Sequence, residues 1–434
     1  MNKPTKAINK KDLLFLLLFR TVYLIFIASM IFSLRAITSI STGALFTAGL
    51  FFLNKENKGF SVQKDLLLFS LSCSGLFLLN LISIASMPGG VKAWTNILLT
   101  SGILFLPIAV ILSRHFILQN AVFMLRSLFI LLFIACTYCL GMAIIRFINT
   151  GDSSVFFYHS LVHPLKYHAV YFSIILFIAL VYLAENYHIG IFQGYQRFRI
   201  VLILFFSVFL ILLSSKLVIG FYTAFLITTF HRSWTKKRQR KQPLFLIIVF
   251  LISLGLVLLS SPVKKRFQEI ASGNLSLIQQ ESFNPGVYFN GLQFRLLQWK
   301  FVPEILQERK KWITGVGSLQ SQKILDSEYV RRKMYVGDTN KGDTGLLNYN
   351  THNQLLQSLL EYGISGGIIF LLVIASIVLM ACQKREFAYT MIMLLLILYA
   401  FLESMLKTQY GIILLTFLPV FLYHFQKKTV LDAH

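Results

Sequence analysis

Apolar and polar positions in this chain fall in long blocks. Blocks apolar enough to cross a hydrocarbon layer of about 30 Å run 13–34, 37–53, 66–85, 93–112, 128–145, 167–184, 200–213, 217–230 and 244–260. A polar interval of about ninety residues follows, and three more blocks run 364–382, 388–402 and 411–425. The pattern predicts twelve spans, the pair around Ser214, Ser215 and Lys216 being the shortest and most tightly joined. Where the polar interval ends, residues 351–367 read THNQLLQSLLEYGISGG. As a helix this puts His352, Leu355, Leu356, Leu359 and Gly363 on one face, with the histidine at its start and Asn350 or Thr351 as cap. The positive end of the helix dipole disfavours positive charge on that ring. A lone histidine at a helix start is more often a cap or a packed side chain than a catalyst, so the catalytic reading needs other residues to support it.

Composition places these blocks in a membrane. Of 434 residues 56% are hydrophobic and 13% charged, with mean hydropathy +0.69, outside the range of soluble domains. The expected fold is all-α: a polytopic integral membrane helical bundle of about twelve transmembrane helices with one large extracytoplasmic helical loop. The domains are 1–261 with nine spans, 262–363 as the loop bearing His352, and 364–434 with three spans and a cytoplasmic tail. The net charge of +24 does not indicate nucleic acid, because the cations sit in short loops between apolar blocks. With a cytoplasmic N-terminus, the inside segments carry 21 Lys and Arg against 6 in the short outside loops, so both termini are expected in the cytoplasm and the polar interval outside. The first block, too long for a cleaved signal, reads as a retained anchor. The run RSWTKKRQRK from Arg232 to Lys241 is an orientation signal on anionic lipid. No internal repeat of the kind expected of many transporters is visible.

Few residues carry chemistry. Cys73, Cys136, Cys139 and Cys382 all lie in apolar blocks, and the CxxC of Cys136 and Cys139 reads as helix packing rather than redox or metal chemistry. Asp326, Glu328, Asp338 and Asp343 show no metal-ligand spacing, so neither a metal nor a cofactor is expected. In the outer interval Leu292, Leu296, Trp299 and Leu306 follow helical spacing, which predicts an amphipathic segment on the bilayer surface with Arg295 near its start. Gly315-Val316-Gly317 reads as a turn, being too short for a phosphate loop. Arg20, inside the first block, is expected to snorkel, and Lys216 either snorkels or faces a polar cavity. His163, Tyr167 and His168 cluster at a span mouth, as aromatic anchors or as sugar contacts. Glu403 and Lys407, four apart, form a local ion pair, or else Glu403 orients a cation or hydroxyl.

These residues resemble a known family. His352-Asn353, nine residues, Gly363, three residues and Gly367 match the pattern of the bacterial O-antigen ligase and O-antigen polymerase superfamily, as does the Gly-Ile-x-Gly-Gly that opens the next span. Ser215-Lys216, Arg295 with Trp299, Gly315-x-Gly317 and Glu403-Ser404 are similar to it too, so the resemblance covers roughly 155–425. At the short turn the ligases usually carry arginine; Lys216 keeps the charge and loses the planar fork.

The resemblance implies a GT-C-like, metal-independent glycosyltransferase in the bacterial inner membrane. It would move a glycan from a polyprenyl diphosphate carrier to an acceptor hydroxyl on a lipid, such as lipid A core, or on a protein, at the outer face. In that scheme Arg295 and Lys216 hold the diphosphate, His352 is the general base, and Asn353 orients the histidine or a sugar. The absence of a cytoplasmic interval long enough for a nucleotide-sugar domain agrees with a lipid-linked donor. A polymerase of O-antigen, capsule or exopolysaccharide needs the same groups and is the alternative. Outside the enzyme class the competitor is a glycolipid flippase or transporter, which predicts cations along a path through the membrane and pseudo-symmetric halves.

Overall fold

The computed structural model describes residues 10–53, 62–86, 90–185, 195–235, 275–338 and 343–425, with the single positions 247, 251 and 255. The block at 244–260, the boundary at 261/262, both chain ends and the basic run beyond Thr235 lie outside the described residues.

The described chain is helical, its β-structure being one isolated bridge between Asp338 and Asp343. The helices are α1 Lys10–Ile31, α2 Arg35–Leu53, α3 Lys64–Ala85, α4 Gly90–Leu112, α5 Arg114–Thr150, α6 Ala169–Glu185, α7 Gln196–Leu212 and α8 Lys216–Thr235. Two helices of the polar interval follow, α9 Gly291–Glu308 and α10 Ser321–Arg331, then α11 Gln354–Lys384, α12 Phe387–Ala400 and α13 Gln409–Tyr423. Five of these (α1, α3, α4, α5 and α11) are long and apolar enough to cross a membrane, or six if Tyr158–Leu165 and α6, bent by 86°, count as one span. The apolar blocks predict twelve; the remaining helices fall short of that test, and residues 169 and 171–183 of α6 are all buried within protein. α5 is longer than its block, starting at Arg114 where the apolar pattern begins only at 128.

The chain forms two compact units. One comprises 1–62, 105–254 and 420–434; the other comprises 63–104 and 255–419. In the first, Arg20 does not simply snorkel: its Nε donates to Asn120 Oδ1 at 2.8 Å and its guanidinium lies over the Phe123 ring. A buried acceptor and an aromatic face satisfy it without a route to the head groups.

In the second, α3 runs antiparallel to α11. Tyr362 Oη donates to Asn80 Oδ1 at 3.1 Å near one end, and Gly75 faces Ile369 further along. The polar interval packs on its own apolar core of Phe294, Leu297, Phe301, Ile305, Leu325 and Tyr329, with Leu360 of α11. The buried face of α9 is thus Phe294, Leu297, Phe301 and Ile305, whereas Leu292 of the expected face is exposed. The start of α9 is set by Asn290, whose Oδ1 accepts from the backbone N–H of Leu292 and Gln293 while Gln293 Oε1 accepts from Asn290 N–H. This reciprocal cap places Arg295 in the second turn.

Candidate functional site

The local sequence Asn-Thr-His-Asn folds as a corner, not as the start of a helix. α11 begins at Gln354, and its cap is Asn353, whose Oδ1 accepts from Leu356 N–H at 3.2 Å. Asn350 and Thr351, the expected caps, lie upstream of the corner. Asn350 Oδ1 accepts from His352 N–H at 3.0 Å, and His352 takes a left-handed φ of 44°, an uncommon conformation outside glycine. The buried Thr351 pins the corner: Trp299 Nε1–H donates to its carbonyl at 3.1 Å, and its hydroxyl lies 3.1 Å from Ser404 Oγ. Gln298 of α9 donates to the Asn350 carbonyl. The imidazole is therefore held by three separate chain segments.

Those contacts aim the ring at a carboxylate. His352 Nδ1 lies 3.0 Å from both Glu403 Oε1 and Oε2. An ionised carboxylate can only accept, so in a neutral ring this contact selects the tautomer with the proton on Nδ1 and the lone pair on Nε2. Arg295 Nη2 stands 3.9 Å from Glu403 Oε2, and its Nη1 donates to the Gly291 carbonyl at 3.2 Å. Arg295 Nε is buried with no hydrogen-bond partner among the described residues. The side chains of His352 and Glu403 are 17% and 11% exposed and that of Arg295 35%, so the imidazole is recessed while the cation reaches solvent. Tyr349 borders the imidazole at 5.8 Å between ring centroids.

The expected local pair of Glu403 and Lys407 is replaced by two longer-range ones. Glu403 turns to His352 and Arg295, and Lys407 Nζ donates to Glu361 Oε1 at 2.6 Å. The segment carrying Glu403 is fixed by Gln354, whose Oε1 accepts from Leu406 N–H at 2.7 Å. Gln354, Gln357, Ser358 and Glu361, polar residues at helical spacing, are the buried face of the first turns of α11, where the pattern predicts Leu355, Leu356 and Leu359. Glu361 Oε1 also accepts from Gln357 Nε2 at 2.8 Å and from Ser321 Oγ at 3.0 Å. A cavity of about 20 Å³ beside it, lined by Asn96, Thr100, Ser358 and Lys407 among others, has room for a single water.

Gly315-Val316-Gly317 is the predicted turn, with a defined task. It crosses α11 so closely that Val316 N–H donates to the Leu360 carbonyl and Gly317 N–H to that of Glu361. A Cβ on Gly315 would lie 2.4 Å from the Glu361 backbone, so only glycine fits.

The other candidates belong to the first unit. Lys216 opens α8 directly after Ser214, at φ 52°, and the buried Ser215. His163 is exposed and begins a short turn, while Tyr167 is buried with its ring edge-on to Phe172, inside the protein rather than in a lipid-facing belt. His168 lies 4.5 Å from the ring of His159 and 5.3 Å from that of Tyr171, two residues the sequence pattern did not single out. Among the described residues no group of three His, Cys, Asp or Glu side chains is arranged to hold a metal.

Long apolar helices mark a polytopic helical membrane protein, and its polar lobe carries a recessed histidine–carboxylate pair beside an arginine. Residues 200–371 match the O-antigen ligase family, which supports the resemblance to the O-antigen ligase superfamily. The matched stretch contains Lys216, Arg295, His352 and Asn353, and ends before Glu403. No curated protein matches the chain.

Proposed function

We propose that the protein is a ligase-type glycosyltransferase that moves a glycan from a polyprenyl diphosphate carrier to the hydroxyl of a lipid or protein acceptor, at the outer face of a bacterial inner membrane. The acceptor oxygen attacks the anomeric carbon as the bond from that carbon to the phosphate oxygen breaks. The electron pair leaves with the carrier diphosphate, and the hydroxyl proton passes to His352 Nε2. Glu403 keeps Nδ1–H in place and stabilises the imidazolium that forms. Arg295 neutralises the departing diphosphate, a charge that a cation fixed at a partly dehydrated site stabilises strongly. Asn353 acts by capping α11 and so holding the corner that presents the ring.

The observation that supports this reading most is the His352–Glu403 pair at 3.0 Å with Arg295 beside it. A histidine that only capped a helix would need no carboxylate on its far nitrogen and no arginine at its rim. Reconstitution tests it. Purified protein in liposomes with labelled carrier-linked glycan and acceptor should yield labelled acceptor, whereas label that only changes leaflet identifies a flippase. In cells, deletion should leave full-length glycan on the carrier; chains stopped at one repeat unit instead identify a polymerase.

A further inference from the structure

A turn that the site does not use lies at the other end of α9. Residues 307–314 are all exposed and include Arg309, Lys310, Lys311, Trp312 and Ile313. Cations at a helix C-terminus are ordinary, because they complement the dipole. The two large apolar residues that follow are not explained that way: Ile313 is 79% exposed and Trp312 36%, at the edge of a polar lobe with an apolar core of its own.

The backbone fixes where this turn sits. Ile364 N–H donates to the Trp312 carbonyl at 2.8 Å, and a Cβ on Gly363 would lie 2.3 Å from the Ile313 carbonyl oxygen. Gly363 is where α11 breaks, at φ 67° and ψ −156°. Beyond it the helix exposes Ile364, Ile368, Leu371 and Leu372 as a lipid-facing surface, so Ile313 and Ile364 continue one another. A second span end marks the same level, since Ser318 N–H donates to Ser83 Oγ at 3.0 Å in the last turn of α3. The helix after it, α4, opens with exposed Val91, Lys92 and Trp94. Tryptophan with basic residues at the end of an apolar span is the composition of a membrane–water interface, and none of the three cations makes an ion pair with a described residue.

We propose that the 309–313 turn docks on the head groups of anionic phospholipids, with Ile313 and Trp312 in the interfacial layer and Arg309, Lys310 and Lys311 on the phosphates. The membrane contact of the polar lobe is therefore this turn rather than the start of α9. It sets the height of the histidine corner above the lipid, because α9 and α11 carry both. The contact does not depend on the transfer chemistry.

The test uses the full chain in vesicles of phosphatidylcholine, alone or mixed with phosphatidylglycerol. A spin label is placed at Ile313→Cys or, as control, at Val330→Cys on α10, each with Cys382→Ser. The 313 label should collide with oxygen and be shielded from an aqueous nickel reagent, and the 330 label should do the reverse. Phosphatidylglycerol should raise the oxygen-to-nickel ratio at 313 at least about threefold, and Arg309→Gln with Lys310→Gln and Lys311→Gln should abolish that rise. Equal accessibility at the two positions overturns the proposal. So does a ratio at 313 that ignores both lipid charge and the triple substitution, or shielding from both reagents, which marks a protein occupant.

Discussion

The two halves of α11 meet at the non-helical Gly363 and bury opposite kinds of surface. Before Gly363 the helix turns Gln354, Gln357, Ser358 and Glu361 inward; after it, Phe370, Val373, Ile377 and Met380. The apolar half is held by shape, packing on α3 through Gly75 and Ile369. The polar half is held by directed bonds, in which Gln354 fixes the Glu403 segment and Glu361 collects Lys407, Ser321 and Gln357. Directed bonds cost more to bury than aliphatic packing, and they specify position more tightly. The helix that holds the His352 corner and the Glu403 segment in register therefore uses them next to the candidate site and gives them up in its apolar half.

Substitutions can break this contrast at either side of the glycine. The largest effect is expected from Glu403→Gln, which removes the charge from the group holding His352 Nδ1–H and lets an amide N–H face the ring instead. Transfer should fall on the order of a hundred- to ten-thousand-fold with little change in thermal stability. A purified variant within threefold of wild type (roughly 0.6 kcal/mol) removes the dyad. Next is Gly363→Ala, which meets both the Ile313 backbone and a φ/ψ region essentially restricted to glycine. A loss of about 3 kcal/mol or more is expected, read as a lower midpoint in thermal unfolding of detergent-solubilised protein. An unchanged midpoint would mean the halves are not joined as described. The smallest is Asn353→Ala, which removes a cap and should lower stability by about 1 kcal/mol, reducing kcat while leaving the KM for donor and acceptor unchanged. A rise in either KM instead would place Asn353 on a sugar.

Much of this was legible in the sequence, and what was not has physical causes. The apolar blocks locate the described helices, and the motif around His352 with Arg295 marks the site. Glu403 was visible as a charge near a span end, but its partner lies 51 residues away and no spacing rule reaches so far. The corner at His352 was hidden because the residues after it are good helix formers, while two asparagines bend the backbone just before them. The burial of Gln354, Gln357, Ser358 and Glu361 is not legible, since polarity at helical spacing carries no sign of burial. Glu361 is covered by the Gly315 crossing, Gln357 by Thr351 and Gln354 by the segment at Leu406. On α9 apolar residues lie on nearly every side, Leu292, Phe294, Leu296, Leu297 and Trp299 within eight positions, so periodicity alone could not choose the buried face.

One measurement bears on the account most directly: the rate at which purified His352→Ala, in the same liposomes as wild type, transfers labelled glycan from the carrier lipid to an acceptor hydroxyl. With the corner intact and donor still bound, the rate should drop on the order of a hundred- to ten-thousand-fold. Transfer at the wild-type rate by a properly folded variant would contradict the role given to the imidazole.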